Sequence, residues 1–249
     1  MDRLLEATAR AERDHFWFRG FRRFMEPLVA RVANGRWIEI LDCGCGTGHN
    51  LTMLRKYGRA YGIDLTWAGL QYARHRGEKK VARATVGALP IPAARFDLVT
   101  SFDVLYGLPD EVERTAIAEM VRVLKPGGWA IVNVAALPWL HGNHSVLGGE
   151  LRRYRRQELR DKLEAGGFRV TRSSYTNFSI FPMVAAVRAK QRLSGHMDSE
   201  AEISVPAPPI NAALTALLGL EAVALRLVNM PIGSSVMAVA QKPQSTPTL

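Results

Sequence analysis

Cysteine is nearly absent: the chain has two in 249 residues, Cys43 and Cys45. One residue separates them, which is too little for an ordinary disulfide, and no second pair remains to complete a zinc site. This argues against a disulfide scaffold and a cysteine-rich metal module, and no metal is expected. The two thiols fit small buried residues in a reducing cytoplasm. An apolar opening is also missing. Residues 1–13 are charged, so no secretory signal is expected and the expected location is cytoplasmic. The chain lacks the ~20 uninterrupted apolar residues of a membrane span. Its most apolar candidate, 211–229, is interrupted by Glu221, Arg226 and Asn229. Repeats of solenoid length are absent. Acid is in deficit: 23 Asp and Glu stand against 33 Lys and Arg, a net charge of +10.

What is present suits one large domain. A hydrophobic content of 47% over this length is enough for its own core. Many of the arginines fall in the N-terminal segment and in 152–160. Such patches attract nucleic acid, anionic lipid or acidic substrates, and they also occur as plain solvated surface. No zinc finger, RNA-recognition or helix-turn-helix pattern accompanies them. The charge therefore fits a small phosphate- or carboxylate-bearing substrate better than a polynucleotide.

Residues 40–48 read I-L-D-C-G-C-G-T-G, and Y-G-I-D follows at 61–64. The apolar stretch before Asp42 has the look of a buried parallel strand. Glycines at 44, 46 and 48 let the backbone turn and let a ligand approach where a Cβ would clash. A helix beginning near Thr47 offers free N–H groups and a positive dipole end. A second strand ends in Asp64, and the carboxyl ends of neighbouring parallel strands line one crevice. An acid there can accept both hydroxyls of a ribose, so a nucleoside-containing cofactor is expected. The third glycine comes one residue too early for the dinucleotide fingerprint, and the lysine and serine/threonine of a P-loop are missing.

The acid, the alternating glycines and the second acid resemble the class I S-adenosylmethionine-dependent methyltransferases. Gly87-Ala88-Leu89-Pro90, Arg95-Phe96-Asp97-Leu98-Val99, Leu124-Lys125-Pro126-Gly127-Gly128 and Ala165-Gly166-Gly167-Phe168 resemble the turns into that family's later strands. The resemblance covers roughly residues 36–175. It implies an α/β, Rossmann-like sheet of seven strands with helices on both faces, and S-adenosyl-L-methionine as cofactor. It implies that Asp42 helps hold the cofactor's ammonium group. Gly44, Cys45, Gly46 and Gly48 would pass beneath its sugar and amino-acid parts. Asp64 would bind the ribose, and Leu65 would pack on the adenine. Ser101 and Phe102 would border the methionine arm. Relatives often carry Asp-Ala where this chain has Thr85-Val86, so the adenine amine would meet a hydroxyl or backbone instead.

The spacing predicts helices over 3–33, with a bend near Asp14 and Pro27, and over 47–57, 65–76, 110–124 and 156–165. It predicts strands over 37–42, 59–64, 81–86, 96–101, 129–135 and 168–175. Asp110 with Glu113 reads as a capping box. The closing strand, 235–241, comes late, after predicted helices over 178–193 and 211–229. The expected organisation is an N-terminal helical cap (1–35), a cofactor-binding core (36–175), a helical insertion serving as a lid (176–232), a closing strand (233–241) and a tail (242–249). The 211–229 helix is a candidate lid, dimer contact or membrane-surface contact, and both monomer and homodimer stay open.

Methyl transfer is an in-line displacement in which the enzyme mainly holds the nucleophile in place. A hydroxyl or ammonium acceptor also needs a base. By resemblance, a histidine often follows the fourth strand, and Gly107 stands there instead. Asp103 and Tyr106 remain as wall residues, with Tyr106 kept as a catalytic candidate. The stretch 139–154 resembles a bacterial subgroup with W-x-x-H-D and H-x-R-R-Y. His144 keeps its histidine, Ser145 replaces the acid and Glu150 replaces the second histidine. His144 and His141 are therefore the candidate bases. Trp139, Arg152 and Arg153 are substrate candidates, the arginines for an anionic group or as caps of the next helix. Phe16 and Trp17 resemble an aromatic cap over the reaction, with packing as the competing role. The reading is transfer of a methyl group to an oxygen or nitrogen of a small metabolite or natural product. Competing readings are methylation of a lipid or polyprenyl-type substrate at a membrane surface, a non-catalytic cofactor-binding scaffold, and a nicotinamide oxidoreductase.

Overall fold

Short apolar segments ending in acids or glycines become parallel strands because both their faces are buried. Ile40 and Leu41, fully buried, exemplify this. The computed structural model describes residues 2–141, 149–194 and 204–244. Its strands are β1 (Ile38–Cys43), β2 (Gly58–Asp64), β3 (Val81–Arg83), β4 (Phe96–Phe102), β5 (Leu124–Ala135), β6 (Arg169–Thr176) and β7 (Ser235–Gln241). They form a seven-stranded sheet in the order β3-β2-β1-β4-β5-β7-β6. Pairing is parallel except that β7 runs antiparallel between β5 and β6.

The helices are α1 (Asp2–Ala11), α2 (Phe16–Ala33), α3 (His49–Leu54), α4 (Trp67–His75), α5 (Asp110–Val123), α6 (Arg156–Ala165), α7 (Phe181–Ser194) and α8 (Pro208–Ala224). The connection β1–α3–β2 moves outward in one direction along the sheet, and β4–α5–β5 moves in the other. Right-handed crossovers then place α3 and α5 on opposite faces. The reversal lies between β1 and β4, which is where ligands bind in open α/β sheets.

Three expectations are corrected. The helix continues through Pro27, so of the two expected breaks only the one near Asp14 is present, where α1 gives way to α2. The third strand stops at Arg83. Asp110 is the first residue of α5 and Pro109 its cap, so no capping box forms. Glu113 instead points into the protein: Tyr154 Oη donates to it at 2.6 Å and Lys162 Nζ at 2.7 Å, and Arg152 pairs with it.

The N-terminal cap and the insertion, distant in sequence, pack together. Leu218 of α8 is buried against Gly20 of α2, close enough that a Cβ on Gly20 would lie 2.4 Å from Leu218 Cδ1. Asn211 accepts the Phe16 N–H at 2.8 Å and donates to the Asp14 carbonyl at 2.8 Å. Glu221, which interrupts the apolar run, is buried and caps the turn into α7. It accepts N–H groups from Phe178 and Ser179, both at 2.9 Å. Among the described residues, no helix is long and apolar enough to cross a membrane.

Candidate active site

The glycine loop joins β1 to α3 at the point where the sheet order reverses. Gly44, Gly46 and Gly48 all have positive φ, at 84°, 50° and 75°. They differ in their surroundings. A Cβ on Gly44 would strike Val104 at 2.2 Å, whereas one on Gly46 would meet nothing within 4 Å. Gly44 is thus a packing requirement, and Gly46 is where the loop opens toward a ligand. Cys45 is buried, with its sulfur against Gly62, and Cys43 is buried too. Both thiols serve packing, so Cys45 offers a ligand its backbone only.

Asp64, at the end of β2, holds this loop from the side. Its Oδ2 accepts the Gly46 N–H at 2.7 Å. Its Oδ1 accepts from Thr66 N at 2.8 Å and Thr66 Oγ1 at 2.5 Å. Leu65, next in sequence, is 60% exposed and free to cover a ring. Glu12 locks the loop from above. It is buried, accepts the Thr47 hydroxyl at 2.7 and 2.8 Å, and pairs with Arg76. The sequence offered no local signal for this contact between the cap and the loop.

Asp42 lies beneath the loop, fully buried, and accepts the Thr100 hydroxyl at 2.7 Å. Burial pushes its pKa up to about 7; the Thr100 hydrogen bond opposes the rise and the Asp64 charge adds to it. A cationic ligand above it would favour its ionised form.

Ser101 and Phe102 end β4 and are buried, with the Phe21 ring of α2 edge-on to Phe102 at 5.1 Å. Asp103 follows at φ 60°. Its Oδ1 accepts from Asn133 Nδ2 of β5 at 2.9 Å. The residue is exposed to solvent, while desolvation of its carboxyl, opposed by the Asn133 hydrogen bond, pushes its pKa up to about 7. Asn133 Oδ1 is buried without a hydrogen-bond partner among the described residues. Non-glycine residues with positive φ also follow β5 (Leu137, 61°) and β6 (Asn177, 63°). Such backbone is uncommon and clusters at functional sites. Here it marks the crevice edge of the sheet.

The remaining candidates divide. Burial and the neighbouring Asp103 charge raise the Tyr106 phenol well above its usual pKa. It stays protonated near neutral pH and serves as a donor rather than a base. Its carbonyl accepts N–H groups from Leu151 and Arg152, tying 105–107 to the segment before α6. Arg152 pairs with Glu113 and Asp110, and Arg153 pairs with Glu150 at 2.9 Å. Both arginines are held in internal pairs, away from the substrate role expected of them and from the cap of α6, which is Arg155. Trp139 is half exposed, edge-on to Phe181 of α7 at 5.7 Å. His141 is exposed at the end of the same turn. His144 lies outside the described residues. Phe16 is buried and stacked on His15 at 4.5 Å, and Trp17 packs against the core. Thr85 is exposed, its hydroxyl accepting the Gly87 N–H at 3.3 Å, and Val86 is buried.

Residues 41–132 match the family model described as a methyltransferase domain. A "probable S-adenosylmethionine-dependent methyltransferase" of Mycolicibacterium smegmatis is 29% identical over 161 residues, 63% of this chain and 61% of that protein. A demethylmenaquinone methyltransferase of Geobacillus kaustophilus is 30% identical over 135 residues, 50% of this chain and 57% of that protein. The chain thus spans less than two thirds of the length of these relatives. Among solved structures, the [4+2]-cyclase SpnF matches with a TM-score of 0.55 at 22% identity, over 90% of this chain and 81% of that one. This last likeness concerns the fold alone. Residues 41–132 therefore carry a methyltransferase domain, and the glycine loop with its two acids is similar to that of the S-adenosylmethionine-dependent methyltransferases.

Proposed function

We propose that this chain transfers a methyl group from S-adenosylmethionine to an oxygen or nitrogen of a small organic acceptor. The observation that carries the reading is the glycine loop opening at Gly46 between the carboxylates of Asp42 and Asp64. In a protein of net charge +10, these acids gather where a sulfonium and an ammonium would lie. When bound, the cofactor supplies an electrophilic methyl group on a neutral-leaving sulfur. The chain's own residues do the rest. Asp64 holds the loop and has lone pairs left for ribose hydroxyls. Asp42 offers charge to the ammonium. Phe21 and Phe102 close the wall of the crevice and help exclude water.

Asp103 is the group suited to take the acceptor's proton. A base works best with a pKa near the working pH, and this carboxyl sits at about 7. Asn133 fixes its orientation, donating from Nδ2 to Asp103 Oδ1 and leaving Asp103 Oδ2 for the acceptor. The demethylmenaquinone relative supports a small organic acceptor and nothing narrower.

Calorimetric titration with S-adenosylmethionine, S-adenosylhomocysteine and NAD tests the cofactor reading. Turnover of methyl-labelled cofactor against phenols, carboxylic acids and amines tests the transfer. Cofactor binding with no labelled product across that panel, or binding of NAD alone, would refute it.

A further inference from the structure

A second concavity lies away from the crevice. A cavity of about 770 Å³ opens between α2, α8 and the β6–β7 edge of the sheet. Four arginines line it: Arg23, Arg31, Arg172 and Arg226. Arg23 donates to the Thr215 carbonyl at 2.8 Å, and Arg172 to Asn229 Oδ1 at 2.9 Å and to the Leu225 and Val228 carbonyls just after α8. These partners are neutral. Among the described residues, no carboxylate forms an ion pair with any of the four. Glu26, which also lines the cavity, is taken by Lys56 at 2.7 Å. Burial, together with the charge of Arg31, pulls the Arg172 pKa down, as expected for cations gathered without a counter-ion.

The helix beside this cavity has an unusual outward face. Ile210, Leu217, Leu220, Val223, Leu227 and Val228 are all exposed, Leu220 at 70% and Leu227 at 86%. They form a stripe along α8 and the turn after it. Between 210 and 228 the only acid is Glu221, which is buried. Val223 belongs to both the stripe and the cavity wall, and Arg226, next to Leu227 of the stripe, also lines the cavity. Contiguous apolar surface of this kind marks an interaction site. A surface helix with an apolar face and basic neighbours lies in the plane of a membrane interface, without spanning it.

We propose that the outward face of α8 docks on an anionic lipid surface, its aliphatic stripe entering the headgroup boundary while the arginine-lined cavity receives a headgroup phosphate. Charge selects this occupant. A second copy would bring four more uncompensated arginines against the first four, on chains that each carry +10. A polynucleotide would satisfy the arginines and leave the aliphatic stripe in water. The inference goes beyond the methyl-transfer reading and does not depend on it.

Co-sedimentation of the full chain with vesicles tests it. Binding is expected on phosphatidylcholine vesicles containing phosphatidylglycerol, and at least tenfold weaker binding on phosphatidylcholine alone. Replacing Arg31 and Arg226 by alanine should weaken binding to the anionic vesicles about fivefold per residue, the fold-change equivalent to about 1 kcal/mol per basic residue near such a surface. Leu220→Ser with Leu227→Ser should weaken it about tenfold or more on both vesicle types, with an unchanged thermal midpoint because both side chains are exposed. Equal binding to both vesicle types, or serine variants that bind like the parent, would overturn the proposal. So would a dimer in light scattering that the serine changes dissolve, or binding of inorganic phosphate or a mixed oligonucleotide with no vesicle binding.

Discussion

The Asp64 carboxylate accepts the Gly46 backbone N–H at 2.7 Å, so the acid at the end of β2 holds the loop at the end of β1. One residue thereby shapes the glycine loop and stands at the strand end proposed to meet the cofactor's ribose. Asp64→Ala should weaken S-adenosylmethionine binding by about 1–3 kcal/mol, through lost charge-assisted hydrogen bonds and a loosened loop. Asp64→Asn should cost less, because its oxygen can still accept from Gly46. Calorimetric Kd values decide this; equal affinities for parent and Asp64→Ala would remove Asp64 from the site.

Asp42 predicts a pH dependence of both stability and binding. In the folded chain its carboxyl holds a proton up to about pH 7, while unfolded it releases that proton near pH 4. The folded state therefore binds more protons in this window. Asp42 makes stability fall as pH rises from about 4 to 7, at up to about 1.4 kcal/mol per pH unit. Denaturant titrations of the ligand-free protein should show this slope, and Asp42→Asn should flatten it. Because the cofactor is cationic, its affinity should rise over the same window.

Asp103 and His144 make rival predictions. If Asp103 takes the acceptor's proton, Asp103→Asn should lower kcat about 10²–10⁴-fold with little change in cofactor Kd. Activity should rise with pH through about 7 as its carboxyl ionises, and the variant should lose that limb. His144→Ala would then leave the profile in place. If His144→Ala removes the limb and Asp103→Asn retains it, the base is the histidine.

Glu113 is the buried centre of a cluster with Tyr154, Arg152 and Lys162. Its replacement by alanine should destabilise by about 1–3 kcal/mol, because it leaves the buried Tyr154 hydroxyl without its acceptor, while Arg152 keeps Asp110. Tyr154→Phe should cost about 1–2 kcal/mol. Thermal melts should register each kcal/mol as a Tm loss of about 2–4 °C for a chain of this size.

Where meaning lies in contiguous residues, the chain is legible. The apolar run before Asp42, the alternating glycines and the acid at 64 specify a strand, a turn and a second strand end through local rules alone. The closing strand 235–241 is as expected, and so is α6. Capping at Asp110 misled because the same Ser/Thr/Asp–x–x–Glu spacing also places Glu113 one turn into α5, facing Tyr154 across the protein. Arg152 and Arg153 read as free cations because nothing local announces Glu113 or the Glu150 geometry that engages them.

The sequence by itself determined the class of fold, the cofactor cradle and the late closing strand, since each rests on spacing within a few residues. Tertiary structure decided the rest. Asn133 meets Asp103 across a gap of 30 residues, and Asn211 meets Phe16 across 195. Periodicity states which face of an element is apolar but not what that face will meet. The pairing of α8 with α2, the meeting of Asp103 with Asn133, and the convergence of four arginines around one cavity arise only when distant segments close on a common core.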